Sequence, residues 1–381
     1  MDQFYVPTEI QLGRGALASL GALAARYGTR AMLVCGAGFA RRSGLLERAL
    51  DSLQHAGVAA TVFDEVRGEA NLGTVEAGIE AARRMGVEAV IGLGGGSAID
   101  TAKAVAGAAP LPGSIWEYHG GRAIEAAGLP FIAVPTTSGT GAEVTKNAVL
   151  IDPRNDVKYS IRDDRWFARV ALLDPETTLS MSPEVTAGTG SDALCQAIES
   201  YTSIGANAVT DALAYRAIEV IGANLTTAYS RPDDLAAREA MMVGSLMAGM
   251  AMASARLGGV HGMAHPLGSH YDIPHGVVCG LLLPYTMAYN LEYAATKYAR
   301  IAAALGGDTR GMDEEKAAGA AVDAVRDLLR RVNIPEHLSA YGVKEEAFDG
   351  IIEESLPSGS LKHNPRPLGA EDVRRILEAA L

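Results

Sequence analysis

The stretch EAVIGLGGGSAIDTAKAVAGAA, residues 88–109, decides the fold class of this 381-residue chain. Its apolar start predicts a buried strand, its three consecutive glycines predict a turn, and its alanine-rich remainder predicts a helix. Glycines let the backbone approach a bulky group, and a helix start offers N–H groups and partial positive charge. The segment therefore predicts an anion site, for a group such as a pyrophosphate, at Gly94, Gly95, Gly96 and Ser97. A tight turn without a ligand is the alternative, because the spacing is not the GxGxxG fingerprint.

Strand-like and helix-like segments alternate on both sides of this turn through the first 180 residues. Strands are predicted at 30–36, 58–66 and 129–135, and helices at 43–57 and 71–86. Such alternation predicts a parallel sheet with helices on both faces. The third of these strands runs into the hydroxyl-rich loop PTTSGTGAEVTKNAVL, residues 135–150. Ligands bind at the carboxyl ends of the strands in such sheets, so the loop is either a second ligand contact or a plain polar turn.

The chain changes character at about residue 181. Alanine-, leucine- and methionine-rich segments predict long helices there, at 183–203, 207–228, 233–256, 277–305 and 311–332. The sequence therefore predicts two domains, an α/β domain over residues 1–180 and an all-helical domain over residues 181–381.

Composition restricts the partners that the chain can have. The net charge is −12 and the isoelectric point is about 5.2, which argues against nucleic acid as a partner. The start of the sequence shows no signal-peptide pattern, and no apolar run is long enough to cross a membrane. The three cysteines are scattered singly, as suits a reducing compartment. We therefore expect a cytoplasmic protein with neither nucleic acid nor membrane as a partner.

Two segments of the predicted helical domain carry groups that bind metals. GTGSDALCQAIESY, residues 188–201, places Asp192 and Gln196 four residues apart, on one helix face. VHGMAHPLGSHYDIPHG, residues 260–276, contains four histidines, among them His261, His265 and His275. One carboxylate with several imidazoles suits Fe(II), Zn(II) or another first-row divalent ion. Packing or surface roles for these histidines are the alternative.

The order of these motifs resembles the iron-containing, or group III, alcohol dehydrogenase family. The resemblance runs from FYVPTEIQLGRGAL through GLGGGSAIDTAKAVA, PTTSGTGAEVT and LLDPETTLSMSPEVTAGTGSDALCQAIESY to HGMAHPLGSHYDIPHGVVCGLLLP and NPRPLGAEDVRRIL. It implies a Rossmann-like dinucleotide-binding domain followed by an all-α domain, in a dehydroquinate synthase-like architecture with the active site in the cleft between them. It also implies hydride transfer between NAD(P)(H) and a small alcohol or aldehyde, with the metal polarising the substrate oxygen. Relatives are often dimers, so a homodimer or higher homo-oligomer is expected.

The resemblance also assigns roles to single residues of this chain. Asp192, His261 and His275 match three of the four metal ligands, and His265 matches a histidine near the metal that is thought to help move the proton. The cofactor contacts that it implies are Asn71, Gly94, Gly95, Gly96, Ser97, Asp100, Thr136, Thr137, Thr140, Asn147 and Lys158.

Two positions depart from the family pattern. Gln196 stands where metal-dependent members have a histidine as fourth ligand. A glutamine oxygen can hold a divalent ion, but it is neutral and a weaker donor than imidazole, so either it or a water completes the site, or the protein works without metal. At the second position, NAD-specific members carry a carboxylate that repels a 2′-phosphate, and this chain has Gly36 with Arg41 and Arg42 close by. NADP(H) is therefore allowed, unless the arginines merely cap a surface helix.

Three other functions compete with a metal-dependent alcohol dehydrogenase. A metal-independent NAD(P)H reductase of a carboxylated ketone, like the maleylacetate reductases, would keep activity in the presence of a chelator. A dehydroquinate synthase needs a lysine-rich phosphate pocket, but residues 241–290 contain no lysine and a single arginine, Arg256. A non-catalytic binding protein would not oxidise the cofactor with any aldehyde.

Overall fold

The computed structural model describes residues 3–155 and 157–381. The chain forms two compact units. One unit comprises Val6–Thr137 and Gly141–Ser180. The other comprises Met181–Leu381 together with short segments at the N-terminus and at Ser138–Thr140.

Among the described residues, eight strands lie in the first unit. They are β1 (Glu9–Leu12), β2 (Arg30–Gly36), β3 (Ala59–Val66), β4 (Ala89–Gly94), β5 (Phe131–Pro135), β6 (Asn147–Asp152), β7 (Val157–Arg162) and β8 (Val170–Leu173). Six of them form a sheet in the order β1-β8-β5-β4-β2-β3, and every pairing in it is parallel. The predicted parallel sheet is therefore confirmed.

Successive side chains of each strand point to opposite faces of this sheet, so each face presents apolar side chains, and helices cover both faces. They are α1 (Leu20–Ala25), α2 (Phe39–Arg42), α3 (Leu45–His55), α4 (Leu72–Met85), α5 (Gly96–Ala108) and α6 (Ile115–His119). Met32 and Val34 of β2 pack into one apolar cluster with α4 and α5, whereas Leu33 and Cys35 pack into another with α1 and α3.

At one end of the sheet, β1 pairs with β8, with Glu9 opposite Val170. One feature of this unit differs from the expectations of the sequence. Residues 147–162 contain an antiparallel hairpin, β6–β7, with Asn147 opposite Arg162, that the sequence did not predict. Its β6 strand alternates buried with half-buried residues over only six positions, so the pattern is too short to stand out.

Among the residues that the structure describes, the second unit contains nine α-helices and no strand. They are α7 (Pro183–Thr202), α8 (Ala208–Ser230), α9 (Leu235–Ala255), α10 (Gly259–Tyr271), α11 (His275–Tyr289), α12 (Leu291–Ala304), α13 (Glu314–Arg331), α14 (Phe348–Ser355) and α15 (Ala370–Ala380). The prediction of a single helix over 277–305 was wrong, because α11 ends at Tyr289 and a new helix begins after Asn290. The Asn290 side chain is buried and exchanges two amide hydrogen bonds, of 2.9 and 2.7 Å, with Asn364.

Within the described ranges, no single helix is both long and apolar enough to span a membrane. The two helices α9 and α10 meet the length and hydropathy criteria only together, and they are bent by 107° at their junction.

Candidate active site

Three helices of the second unit bring four metal-binding side chains together. Asp192 projects from α7, His261 from α10, and His275 and Cys279 from α11. One ligand atom from each lies within 4.8 Å of all the others. The Nε2 atom of His261 is 3.2 Å from Oδ1 of Asp192, and Nε2 of His275 is 3.9 Å from the same oxygen. The structure therefore brings together Asp192, His261 and His275, as the resemblance implies, and adds Cys279.

Glu199 fixes the orientation of the His261 ring. Its Oε2 lies 2.7 Å from Nδ1 of His261, and its Oε1 accepts a 2.6 Å hydrogen bond from the backbone N–H of Val260. A carboxylate at Nδ1 holds a proton on that nitrogen and leaves Nε2 as the metal-binding atom. Both side chains are more than nine-tenths buried, so solvent does not compete for this contact.

The thiols of Cys195 and Cys279 lie on two sides of the His261 ring. Cys279 Sγ is 3.8 Å from Nε2 of His261 and 3.6 Å from Nε2 of His275, whereas Cys195 Sγ is 3.8 Å from Nδ1 of His261. Burial opposes ionisation of Cys279, but its hydrogen bond with Cys195 and the charges of the two histidines outweigh burial and hold its pKa well below the usual range. Burial raises the pKa of Cys195. The buried negative charge is therefore expected on Cys279.

The same charge distribution acts on the two histidines. Burial would lower the pKa of His261, but the charge of Cys279 and the hydrogen bond to Asp192 raise it well above its usual range. The charge of Cys279 also raises the pKa of His275, against burial. Metal ligands must be deprotonated, so binding of a cation here would release protons from these rings.

Gln196 is buried in α7, one turn after Asp192. It is 3% exposed, and its Oε1 atom has no hydrogen-bond partner among the described residues. A buried amide oxygen without a partner costs free energy unless a ligand or water satisfies it. Gln196 therefore lies on the same face of α7 as Asp192, with a buried oxygen that is available to a ligand.

The other two histidines of this segment lie outside the four-residue cluster. His265 is half-buried on α10, one turn after His261, and its Nδ1 is 3.3 Å from Oγ of Ser269. His270 is exposed and its Nε2 lies 2.7 Å from a carboxylate oxygen of Glu354. His270 is therefore a surface ion-pair partner.

In the first unit, the glycine turn and the start of the hydroxyl loop, at Thr136 and Thr137, meet at the carboxyl end of the sheet. β4 and β5 are neighbours with Gly94 opposite Pro135, so their carboxyl ends lie side by side. Gly95 precedes α5, and a Cβ added to it would lie 3.3 Å from the Thr137 side chain. The backbone N–H of Thr136 donates to the carbonyl of Gly94. The backbone at the start of α5, with Gly96 and Ser97, thus has the form of an anion site. Thr140 belongs to the second unit.

Asp100 and Asn147 belong to a buried network centred on Lys103. The ammonium group of Lys103 donates to the carbonyls of Ala142 and Asn147, at 2.8 and 2.6 Å, and lies 3.4 Å from Asp100. The other carboxylate oxygen of Asp100 accepts from the Val149 N–H at 3.0 Å. Burial raises the pKa of Asp100 and lowers that of Lys103. These contacts hold β6 against α5.

The remaining predicted cofactor residues have partners within the first unit. Asn71 caps α4, and its Oδ1 accepts from the Thr74 N–H at 2.9 Å. Lys158 forms a 2.6 Å ion pair with Glu69. Arg41, at the end of α2, pairs with Asp64 at 3.1 Å.

Sequence reasoning missed Glu199 and Cys279. Glu199 lies seven residues after Asp192, and Cys279 four residues after His275. Both spacings return to the same helix face, so helical periodicity from a recognised ligand could have found them.

Comparisons with known proteins agree with this arrangement. The family model described as "Iron-containing alcohol dehydrogenase" matches residues 7–175, and the model described as "Fe-containing alcohol dehydrogenase family, C-terminal" matches residues 186–381. The chain is 37% identical to 1,3-propanediol dehydrogenase of Citrobacter freundii, over 100% of this chain and 99% of that protein. It is 32% identical to NAD-dependent methanol dehydrogenase of Bacillus methanolicus, over 100% of both. A crystal structure of a 1,3-propanediol oxidoreductase superposes with a TM-score of 0.97, at 36% identity and over 100% of both chains.

Proposed function

The chain belongs to the iron-containing alcohol dehydrogenase family and is an NAD(P)-dependent alcohol dehydrogenase, and on this premise we propose that it interconverts a small aliphatic alcohol and its aldehyde with the help of a divalent metal. The observation that carries the proposal is the cluster of Asp192, His261 and His275 with Glu199 behind it. The acceptance of small alcohols by the relatives named above supports the substrate class.

The residues of the cluster fit a divalent ion. Carboxylate and imidazole donors are what iron and zinc bind in proteins, and the ligand atoms of Asp192, His261 and His275 are close enough to share one ion. The Oε1 atom of Gln196 has no hydrogen-bond partner among the described residues, and it lies on the same helix face as Asp192. This oxygen is a further candidate ligand for the metal. Iron or zinc is the proposed metal.

A bound divalent ion would supply Lewis-acid polarisation of the substrate oxygen. The protein residues do the rest. Glu199 fixes the His261 ring, so that the Nε2 lone pair of His261 points at the site. Asp192 contributes a negative charge from a side chain that is only 3% exposed. His275 has a 37% exposed side chain and forms the open side of the cluster. We assign His265 to the proton path, since an imidazole exchanges protons near neutral pH.

We propose that the α/β domain, residues 1–180, binds the cofactor through Gly94–Ser97 at the start of α5. The helical domain, residues 181–381, would hold the metal and the substrate. Gly36 supports the use of NADP(H) alongside NAD(H), because β2 ends in this glycine and not in a carboxylate residue that would repel a 2′-phosphate. The pairing of Arg41 with Asp64 argues that this arginine is not dedicated to such a phosphate. The remaining cofactor contacts proposed from the family, Asn71, Asp100, Thr136, Thr137, Thr140, Asn147 and Lys158, stand as proposals.

The proposal also includes the cytoplasm as the location and a homodimer or higher homo-oligomer as the working form. The three cysteines are all free and buried, which supports a reducing compartment. Size-exclusion chromatography with light scattering would measure the oligomeric state.

The decisive experiment combines elemental analysis with cofactor-linked aldehyde reduction. Purified protein should carry close to one iron or zinc per chain, lose NADH- and NADPH-dependent activity on chelation, and regain it with Fe(II) or Zn(II). Asp192→Asn should lose metal and activity together, whereas His270→Gln, in the same segment but bound to Glu354 at the surface, should keep both. Full activity without metal would overturn the proposal and favour the metal-independent reductase of a carboxylated ketone.

A further inference from the structure

We propose that the thiolate of Cys279 is the fourth protein ligand of the metal centre, the role that the side chain at position 196 has in metal-dependent relatives. The centre would then be an Asp–His–His–Cys site with a preference for zinc. This inference rests on the proposed function only in requiring that a divalent ion binds at Asp192, His261 and His275.

The spacing of the four ligand atoms supports this assignment. With zinc–sulfur bonds of about 2.3 Å and zinc–nitrogen bonds of about 2.0–2.1 Å, a tetrahedral site needs sulfur and nitrogen to lie about 3.6 Å apart. Cys279 Sγ lies 3.6 Å from Nε2 of His275 and 3.8 Å from Nε2 of His261. The same geometry needs about 3.4 Å between oxygen and nitrogen, and Asp192 Oδ1 lies 3.2 Å from His261 Nε2. Cys279 thus lies at the corner that the three proposed ligands leave open in an approximately tetrahedral arrangement, in which His275 Nε2 and Asp192 Oδ1 are 3.9 Å apart.

Helix packing explains why Cys279 reaches this corner. It lies four residues after His275 on α11, so both side chains share one helix face. Glycines let this face approach α7 closely, because a Cβ added at Gly276 would lie 2.1 Å from the carbonyl oxygen of Gly188 and one at Gly280 would lie 2.9 Å from Cβ of Ser191. Cys279 is fully buried and His275 is partly exposed. The thiol therefore closes the inner side of the site and leaves the outer side to substrate.

Charge also favours Cys279 over Gln196 as the ligand. Burying an uncompensated charge costs free energy, so negatively charged ligands stabilise a divalent cation in a buried site, and Asp192 supplies one negative charge. A thiolate supplies the second, whereas the amide of Gln196 supplies none. Thiolate ligands are soft and select zinc over harder ions such as magnesium or manganese. The loss of a histidine at position 196 is thus offset by a stronger donor from another helix.

Cys195 provides a matched control. It is as buried as Cys279 and also lies 3.8 Å from the His261 ring. It approaches Nδ1, the nitrogen that Glu199 contacts, and so it lies on the side of the ring that faces away from Asp192. The cluster of four ligand atoms does not include it. Two cysteines at the same distance from one ring therefore differ in the role expected of them.

Cobalt substitution separates these roles without any enzymatic assay. The apoprotein is loaded with Co(II), bound cobalt is measured, and the near-ultraviolet spectrum is examined for thiolate-to-cobalt charge transfer. Wild type, Cys195→Ser and Gln196→Ala should bind one cobalt per chain and show this band. Cys279→Ser and Cys279→Ala should lack the band at any cobalt occupancy. One bound cobalt without the band in wild type, or an unchanged band in Cys279→Ser, would overturn the assignment, as would loss of the band in Cys195→Ser.

Zinc affinity provides a second readout, measured by competition with a chromogenic chelator. Cys279→Ser should weaken zinc binding by more than the roughly 10- to 100-fold that loss of an outer-shell partner costs. Gln196→Ala should weaken it less than Cys279→Ser does, and the opposite ranking would make Gln196 the ligand and refute the proposal. Circular dichroism of each apoprotein checks that the variants fold. If metal binds and activity depends on it but no thiolate band appears, only the Cys279 assignment fails. If no metal binds while activity persists, the proposed function fails as well.

Discussion

Replacing Glu199 by glutamine tests whether this carboxylate prepares His261 to bind metal. Glu199 bridges two groups of α10, the Val260 N–H at 2.6 Å and the His261 Nδ1 at 2.7 Å. Glutamine has the same shape and can still accept from Val260 through its carbonyl oxygen. Its remaining group is an amide NH2, which donates and therefore cannot accept a hydrogen bond from the Nδ1–H of His261. The proton of His261 must then move to Nε2, the atom that lies 3.2 Å from Asp192.

The expected magnitude follows from the kind of hydrogen bond that is lost. A hydrogen bond to a charged group contributes about 1.5–3 kcal/mol, and each ~1.4 kcal/mol is tenfold in a binding constant. Because both side chains are buried, solvent screening does not reduce this value. We therefore expect Glu199→Gln to weaken Fe(II) or Zn(II) binding by roughly 10- to 100-fold, the range seen for outer-shell partners of metal-bound histidines.

The assay is metal competition against a chelator of known affinity, with aldehyde reduction at saturating metal as a second readout. Glu184→Gln is the matched control, because Glu184 is an exposed carboxylate in the first turn of the same helix and lies outside the cluster. It should leave metal affinity unchanged. Equal affinities for Glu199→Gln and wild type would refute the assignment of Glu199 as the group that sets the tautomer of His261.

Three further predictions concern the first unit. Gly107→Ala should lower the free energy of unfolding by about 1–3 kcal/mol in urea denaturation, since the new Cβ would lie 2.2 Å from the buried Trp166 ring. As the control, Gly319→Ala, whose new Cβ has nothing within 4 Å, should not destabilise the protein. Burial raises the pKa of Glu143 from 4.5 to about 7, so the folded state binds more protons than the unfolded state, and the free energy of unfolding falls as pH rises through this window. Glu143→Gln should remove up to about 3 kcal/mol of that decline, measured by urea unfolding at about pH 5 and about pH 8. An unchanged dependence of the unfolding free energy on pH would contradict the raised pKa. Gly36→Asp, where an added Cβ would have only the Val66 carbonyl, 3.9 Å away, within 4 Å, should lower kcat/KM for NADPH relative to NADH by about tenfold or more. An unchanged ratio would show that this position does not read the 2′-phosphate.

The local sequence pattern was enough to predict the strands and helices that bury a continuous run of apolar residues. The strand predicted at 30–36 is β2 at Arg30–Gly36, and the turn at Gly94–Gly96 separates β4 from α5. Each is specified by its own residues, so no distant contact was needed to predict it. The break at Asn290 was not predictable in this way. It depends on Asn364, 74 residues away, whose amide pairs with that of Asn290 inside the second unit.

The residues of the candidate site also divide into those that the local sequence predicts and those that only the folded structure brings together. Asp192, His261 and His275 were predictable because carboxylate and imidazole are recognised metal donors and the family motif surrounds them. Cys279 and Glu199 carry only the weaker signal of helical spacing from His275 and Asp192. A single cysteine or glutamate in an apolar helix is usually a packing or surface residue, so this spacing alone did not single them out. Only the meeting of α7, α10 and α11 shows that these two side chains lie against the same histidine.

Glycines on these helices determine which side chains can share a metal. α11 approaches α7 at Gly276, where any larger residue would collide with the Gly188 carbonyl, and α10 passes Leu361 at Gly262, where a Cβ would lie 1.5 Å from Cδ1. If either helix moved outward by the width of a methyl group, His261 and His275 could no longer lie within metal-bridging distance of Asp192. A ligand lost at one position of so close a cluster can be replaced from a neighbouring helix, because several side chains already face the same point. The exchange of a histidine at position 196 for glutamine is therefore tolerable in a chain that carries a thiol at position 279.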